Sequence, residues 1–187
     1  MRAGLRATRR AWLAGALSLS LALAACSHLP PPPAPEASAR TWEGQMSVRL
    51  DAHAGRPADG SSFTFALTVS PGAAGHLALM TPMGTQVAQV NWTPDGAQLH
   101  DGQGQRDYPD LDHLSAALLG EVLPLRALPF WLDGLPDPSL PSSPMAAGFE
   151  QAGWQVDLSQ FDQQRLKATR AATEQQRGIL IRARLTR

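Results

Sequence analysis

The sequence predicts a mainly β domain: an antiparallel sheet that curls toward a barrel or sandwich and carries one helical insertion. Three observations support this. Apolar residues recur at every second position in several separate runs, tight-turn residues punctuate those runs, and a single central stretch switches to the helical period.

In chain order, Trp42, Gly44, Met46, Val48 and Leu50 alternate with Glu43, Gln45, Ser47 and Arg49, a period of two that marks a half-buried strand. After a loop from His53 to Gly60, the residues Phe63, Phe65, Leu67 and Val69 repeat the pattern. It returns at Leu77 and Leu79, at Ala88, Val90 and Trp92, at Trp154, Val156 and Leu158, and at Ile179, Ile181, Ala183 and Leu185. Ser70-Pro71-Gly72, Thr81-Pro82-Met83-Gly84, Thr93-Pro94-Asp95-Gly96 and Asp101-Gly102 supply turns between them. Asp110 is placed to cap a helix whose Leu111, Leu114, Ala117 and Leu118 share one face, with Gly120 as its C-terminal stop. Leu125 to Leu132 forms a second short helical stretch, which Pro129 is expected to break by removing an interior hydrogen bond. Pro136 to Pro144 reads as a Pro/Ser loop.

The N-terminal residues have a different character. Four arginines (Arg2, Arg6, Arg9, Arg10) precede an apolar run from Ala11 to Ala25, which is the layout of an export signal over residues 1–25. At about 15 residues the run falls short of the roughly 20 that span a bilayer. It ends in Leu23-Ala24-Ala25-Cys26, which resembles the bacterial lipobox, and Cys26 is the sole cysteine of the chain. That resemblance implies cleavage before Cys26 and acylation of its thiol; several acyl chains would hold the protein on a membrane essentially permanently. Ser27, where Asp favours inner-membrane retention by resemblance to the Gram-negative sorting rule, points to the outer membrane. Residues 26–40, rich in proline from Pro30 to Pro35, form a tether that favours polyproline II, so the folded part from residue 41 to 187 stands roughly 40 Å off its anchor at full extension.

Composition narrows the function. Removing the four signal arginines from 16 basic residues leaves 12 against 16 acidic, a net charge of about −4 for the mature chain. A mildly acidic body without a basic stripe argues against nucleic-acid binding. The sequence holds no Gly-x-Ser-x-Gly elbow, paired histidine ligands, P-loop or Cys-x-x-Cys, so neither an enzyme, a metal site nor a cofactor is expected. His28, His53, His76, His100 and His113 are scattered, Gly102-Gln103-Gly104 suits a hairpin turn better than a phosphate cradle, and Asp110 with Asp112 suits a helix start. Against this catalytic blank stand Trp42, Trp92, Trp131, Trp154, Phe63, Phe65 and Phe130, which suit either a filled β core or a barrel interior that takes an apolar ligand.

Five collinear pieces carry a family resemblance: Trp42-x-Gly44-x-x-Ser47-Val48-Arg49, Leu77-x-Leu79-x-Thr81-Pro82-Met83-Gly84, Leu119-Gly120-x-x-Leu123-Pro124-Leu125-x-x-Leu128, Trp131-Leu132-x-Gly134-Leu135-Pro136 and Gly153-Trp154-x-Val156. With the lipobox, residues 40 to 187 resemble the LolB family of outer-membrane lipoprotein receptors. The resemblance implies a curved, incomplete antiparallel β-barrel with a short helical lid over an apolar cavity. It implies a monomer anchored at the periplasmic face of the outer membrane that accepts acylated lipoproteins from the periplasmic carrier LolA and places them among outer-membrane lipids. Candidate cavity residues are Phe63, Phe65, Leu77, Leu79 and Trp92 by alternation, and Trp131 by its place in the lid. Pro82, Met83 and Gly84 occupy the turn where the family carries an exposed aliphatic residue, usually Leu, that delivers cargo to the membrane. The chain departs from the family in three ways: it lacks a tryptophan between Phe63 and Val69, it lacks a Pro-rich stretch before the last strands, and Pro129 interrupts the lid segment. A structural lipoprotein subunit of an outer-membrane assembly complex would share the lipobox and tether but present a flat docking surface; a lipoprotein hydrolase would need a nucleophile and base that the sequence does not display.

Overall fold

The computed structural model describes residues 38–186; the export signal, Cys26 and most of the tether lie outside the described residues. Eleven strands form one antiparallel sheet: β1 (Arg40–Leu50), β2 (Asp59–Val69), β3 (Gly75–Met80), β4 (Gln86–Thr93), β5 (Gly96–Asp101), β6 (Gly104–Tyr108), β7 (Ser142–Met145), β8 (Gly148–Gln151), β9 (Trp154–Asp157), β10 (Arg165–Arg170) and β11 (Ile179–Leu185). Their order across the sheet is β6-β5-β4-β3-β2-β1-β11-β10-β9-β8-β7. The first and last strands therefore meet in the centre, with Met46 opposite Ala183 and Val48 opposite Ile181. The sheet does not close: β6 and β7 are its two edges. The expected incomplete, curved barrel is thus a single open sheet.

This strand order fixes the path of the chain after β6. It must pass from one edge of the sheet to the other, and the connecting stretch contains helices α1 (Leu111–Leu119) and α2 (Leu128–Leu132). Leu111, Leu114, Leu123, Leu128, Trp131 and Leu132 in this stretch are all buried, packed in one core with Trp42, Met46, Val48 and Leu50 of β1, Phe65 and Leu67 of β2, and Ile179, Ile181 and Ala183 of β11. Gly44 belongs to that row because β1 and β11 approach closely there: a Cβ on Gly44 would lie 2.1 Å from the Arg184 carbonyl oxygen.

Several expectations need correction. The α1 cap is as expected, with the Asp110 carboxylate accepting the His113 backbone N–H at 2.8 Å and Gly120 in the left-handed region at φ 69°. Its buried face, however, is Leu111, Leu114 and Ser115, while Ala117 and Leu118 are exposed. The helix touches β5 and β6 at the sheet edge, and Leu119 of its last turn packs half-buried against the core. Ser115 is satisfied in the interior because its hydroxyl accepts the Leu123 N–H at 3.1 Å and donates to the Asp112 carbonyl. Pro129 does not break the second helix, because α2 begins only at Leu128 and Pro129 falls in its first turn, where a missing N–H leaves no bond unmade. Pro136 to Pro144 is not all loop: Ser142–Met145 is the edge strand β7, a position that tolerates Pro144. Strands β5, β6, β8 and β10 are likewise additions to the elements that alternation reveals.

Candidate acyl-chain and membrane-contact site

The sheet has a core face and an outer face, and the candidate cavity residues of β2, β3 and β4 all lie on the core face. Phe65 stands opposite Leu79, and Leu79 opposite Ala88; Leu77 stands opposite Leu67 and Val90; Trp92 stands opposite Gly75 and Ala97. Phe65, Leu77 and Trp92 are buried, Phe63 and Leu79 half-buried. Trp131 is placed elsewhere, with ring neighbours Phe149 and Trp154 at centroid distances of 6.4 and 5.9 Å on β8 and β9. Five of the six thus share one apolar cluster, with Phe65, Leu77, Leu79 and Trp92 on one half and Trp131 on the other, while Phe63 stands outside it.

Polar side chains that the sequence did not single out hold the helical stretch over this face. Gln151 is buried and all its hydrogen-bonding capacity is used there: its Oε1 accepts from Trp131 Nε1 at 3.0 Å and from the Asp137 N–H at 2.9 Å, and its Nε2 donates to the carbonyls of Asp137 and Leu140. Trp42 Nε1 donates to Asp133 at 2.8 Å, tying β1 to the end of α2. Between the helices, buried Glu121 pairs with Arg170 and accepts the Arg177 N–H, and the Arg177 guanidinium donates to the carbonyls of Asp51 and Pro57. Side-chain amides and charges of this kind have no periodic signature; only their partners reveal them.

The Thr81–Thr85 turn closes on itself. The Gly84 N–H donates to the Thr81 carbonyl at 2.9 Å, the Thr81 N–H to the Thr85 carbonyl at 2.8 Å, and Gly84 takes φ 86°, which a side chain would strain. This geometry leaves Met83 94% exposed, far beyond Leu135 at 57%, the next most exposed large apolar residue among the described residues. Among the described residues no group of three or more His, Cys, Asp or Glu is arranged to hold a metal ion, and no helix is long and apolar enough to cross a membrane.

A depression of about 740 Å³ opens on the other side of the sheet. Its lining includes Gln45, Arg165, Lys167, Arg182 and Arg184, whereas neither helix contributes to it. Met46, Leu166 and Ala183 of the core cluster also border it. Of the six candidate cavity residues only Phe63 borders this depression.

Residues 39–182 match the family model described as "Outer membrane lipoprotein LolB". The chain belongs to the LolB family. Among its relatives, the outer-membrane lipoprotein LolB of Thiobacillus denitrificans is 30% identical over 162 residues, covering 80% of this chain and 83% of the relative. That of Chromobacterium violaceum is 32% identical over 147 residues, covering 75% and 78%, and that of Neisseria meningitidis serogroup A is 31% identical over 147 residues, covering 74% and 72%. Membership makes this an outer-membrane lipoprotein of the LolB family and accounts for the motifs in physical terms. Trp42 bonds Asp133 across to the helical stretch, Gly44 admits β11, Gly120 ends α1, and Gly84 closes the turn that exposes Met83.

Proposed function

We propose that this protein is a receptor that accepts acylated lipoproteins from the periplasmic carrier LolA and places them in the outer membrane, while itself anchored there through an acylated Cys26. The acyl chains are held against the apolar cluster between the core face of the sheet and the helical stretch, the region of Phe63, Phe65, Leu77, Leu79, Trp92 and Trp131. The observation that carries this reading is the exposure of Met83: an unbranched apolar side chain held in solvent by a hydrogen-bonded turn has no role in the protein's own core. It suits entry into lipid, with Pro82 and Gly84 shaping the tip.

Because the sequence has no nucleotide-binding motif, transfer runs down a gradient of affinity from carrier to receptor to bilayer. Each 1.4 kcal/mol is about tenfold in equilibrium constant, so a few kcal/mol over two steps suffices. Acyl chains enter by loosening contacts between the helical stretch and the sheet, since Phe65 and Trp131 are fully covered in the structure. The test is reconstitution: carrier loaded with a labelled lipoprotein, the full-length acylated receptor, and liposomes, without ATP. Cargo should pass first to receptor and then to lipid. Failure of the first step with both proteins folded would refute the reading, as would a Cys26→Ala variant that fractionates with outer membrane at the wild-type level.

A further inference from the structure

The outer face of β10 and β11 concentrates cations in a chain that is otherwise acidic. Arg184 stands directly opposite Arg165, and Arg182 directly opposite Lys167, so four cationic side chains occupy two adjacent cross-strand rows. On the far side of β11 the same rows continue as the neutral residues Gln45 and Ser47, followed on β2 by Thr64 and Ser62. Like charges placed directly opposite one another destabilise a sheet. Only Lys167 is neutralised, by Asp157 at 2.8 Å; among the described residues Arg165, Arg182 and Arg184 form no salt bridge. All four line the depression of about 740 Å³.

Its position identifies what it faces. Pro82 also lines this depression, and the next residue is the exposed tip Met83. An apolar side chain that enters lipid, set beside a patch of basic residues, is the combination by which proteins seat on a bilayer surface: the apolar group partitions and the cations meet phosphate. An acidic protein surface would also complement the charge, but it would not account for the place of the depression beside the turn that carries Met83.

We propose that the outer face of β10 and β11, with Arg165, Lys167, Arg182 and Arg184, is a docking surface for the headgroups of anionic phospholipids that seats the domain on the bilayer with the Met83 tip entering it. This rests on the reading of Met83 as a lipid-entering tip and adds the groups that orient it. Guanidinium forks donate to phosphate oxygens, and the neutral Ser47, Ser62 and Thr64 floor leaves room for the headgroup.

The test uses full-length acylated protein in liposomes of phosphatidylethanolamine with or without phosphatidylglycerol. An environment-sensitive fluorophore is attached through Gln86→Cys, which supplies the one free thiol once Cys26 is acylated. Phosphatidylglycerol should raise the ratio of lipid-engaged to free tip, by roughly fivefold for each cation that reaches the surface. High salt should abolish that increase, and Arg182→Glu/Arg184→Glu should remove it; Arg182→Gln/Arg184→Gln should reduce it, with circular dichroism unchanged. Equal engagement with and without phosphatidylglycerol would overturn the docking surface while leaving tip insertion standing. No engagement in any liposome would overturn both. A charge-reversed variant that keeps the lipid response but no longer receives cargo from the carrier would also overturn the proposal, assigning the patch to an acidic protein surface.

Discussion

Trp131 donates its indole N–H to Gln151 Oε1 at 3.0 Å, and both side chains are almost wholly removed from solvent. The bond joins α2 to β8, and the same amide holds the backbone of Asp137 and Leu140. Gln151→Leu fills similar volume but orphans the Trp131 indole, the Asp137 N–H and the Leu140 carbonyl, while the Asp137 carbonyl keeps the Leu140 N–H. Each buried group left unpaired costs about 1–3 kcal/mol, so the variant should lose roughly 3 kcal/mol or more in chemical denaturation. Trp131→Phe, which leaves Gln151 Oε1 its second donor, should lose less. Equal and small losses would show that this network does not hold the helical stretch to the sheet.

Gly75 and Trp92 form an equally specific contact on the other half of the sheet. They are cross-strand partners, and a Cβ on Gly75 would lie 2.1 Å from the indole ring. The ring is buried and cannot shift without repacking the β4 and β5 side of the core. Gly75→Ala should therefore destabilise the fold by roughly 1–3 kcal/mol, the usual cost of overpacking. A thermal melt at or above the wild-type midpoint would show that Trp92 has free space beside it.

Asp157 titrates below the ordinary carboxylate range, first because it accepts a hydrogen bond from Lys167 and then because Ser159 donates to it from hydroxyl and backbone. A carboxyl whose pKa is lowered on folding adds stability that is fully present above its unfolded value and is lost as pH falls through the folded one. The acid limb of the stability profile should flatten in Asp157→Asn. At neutral pH the difference should stay under about 1 kcal/mol, since the pair is part-exposed and screened. An unchanged acid limb would remove this pair from the pH response.

The parts of the fold legible in the sequence are those where burial on one face imposes a period of two. The bounds of β1 and β11 are readable to within two residues, since Trp42 to Leu50 and Ile179 to Leu185 alternate without interruption. β10 is not, because its inward positions are Leu166, Ala168 and Arg170, a leucine, a small residue and a buried cation whose partner Glu121 is 49 positions away. The candidate site divides along the same line. Strand residues Phe65, Leu77 and Trp92 can be assigned to the core face from parity alone, whereas Gln151 and the Arg170–Glu121 pair depend on tertiary partners. The outer-face cations are hidden for another reason: Arg165 with Lys167 and Arg182 with Arg184 are two ordinary i, i+2 pairs until antiparallel register sets them opposite one another.

Met83 offers the sharpest test of mechanism, because its 94% exposure separates its role from folding. An exposed side chain at the tip of the Thr81–Thr85 turn makes no core contact to lose, so substitution there should leave stability within about 0.5 kcal/mol. Burying one such side chain in lipid contributes roughly 1.5–3 kcal/mol, enough to favour release into the bilayer by about one to two orders of magnitude. Met83→Glu places a charge where that contact forms and replaces the gain with a desolvation penalty. Acceptance of a labelled lipoprotein from the carrier should persist in Met83→Glu, while release from receptor to liposomes should fall at least tenfold; Met83→Leu, which keeps an apolar tip of similar size, should match the wild type. The two steps are measured separately. Equal loss of both in a folded Met83→Glu protein would place Met83 in cargo acceptance rather than membrane delivery.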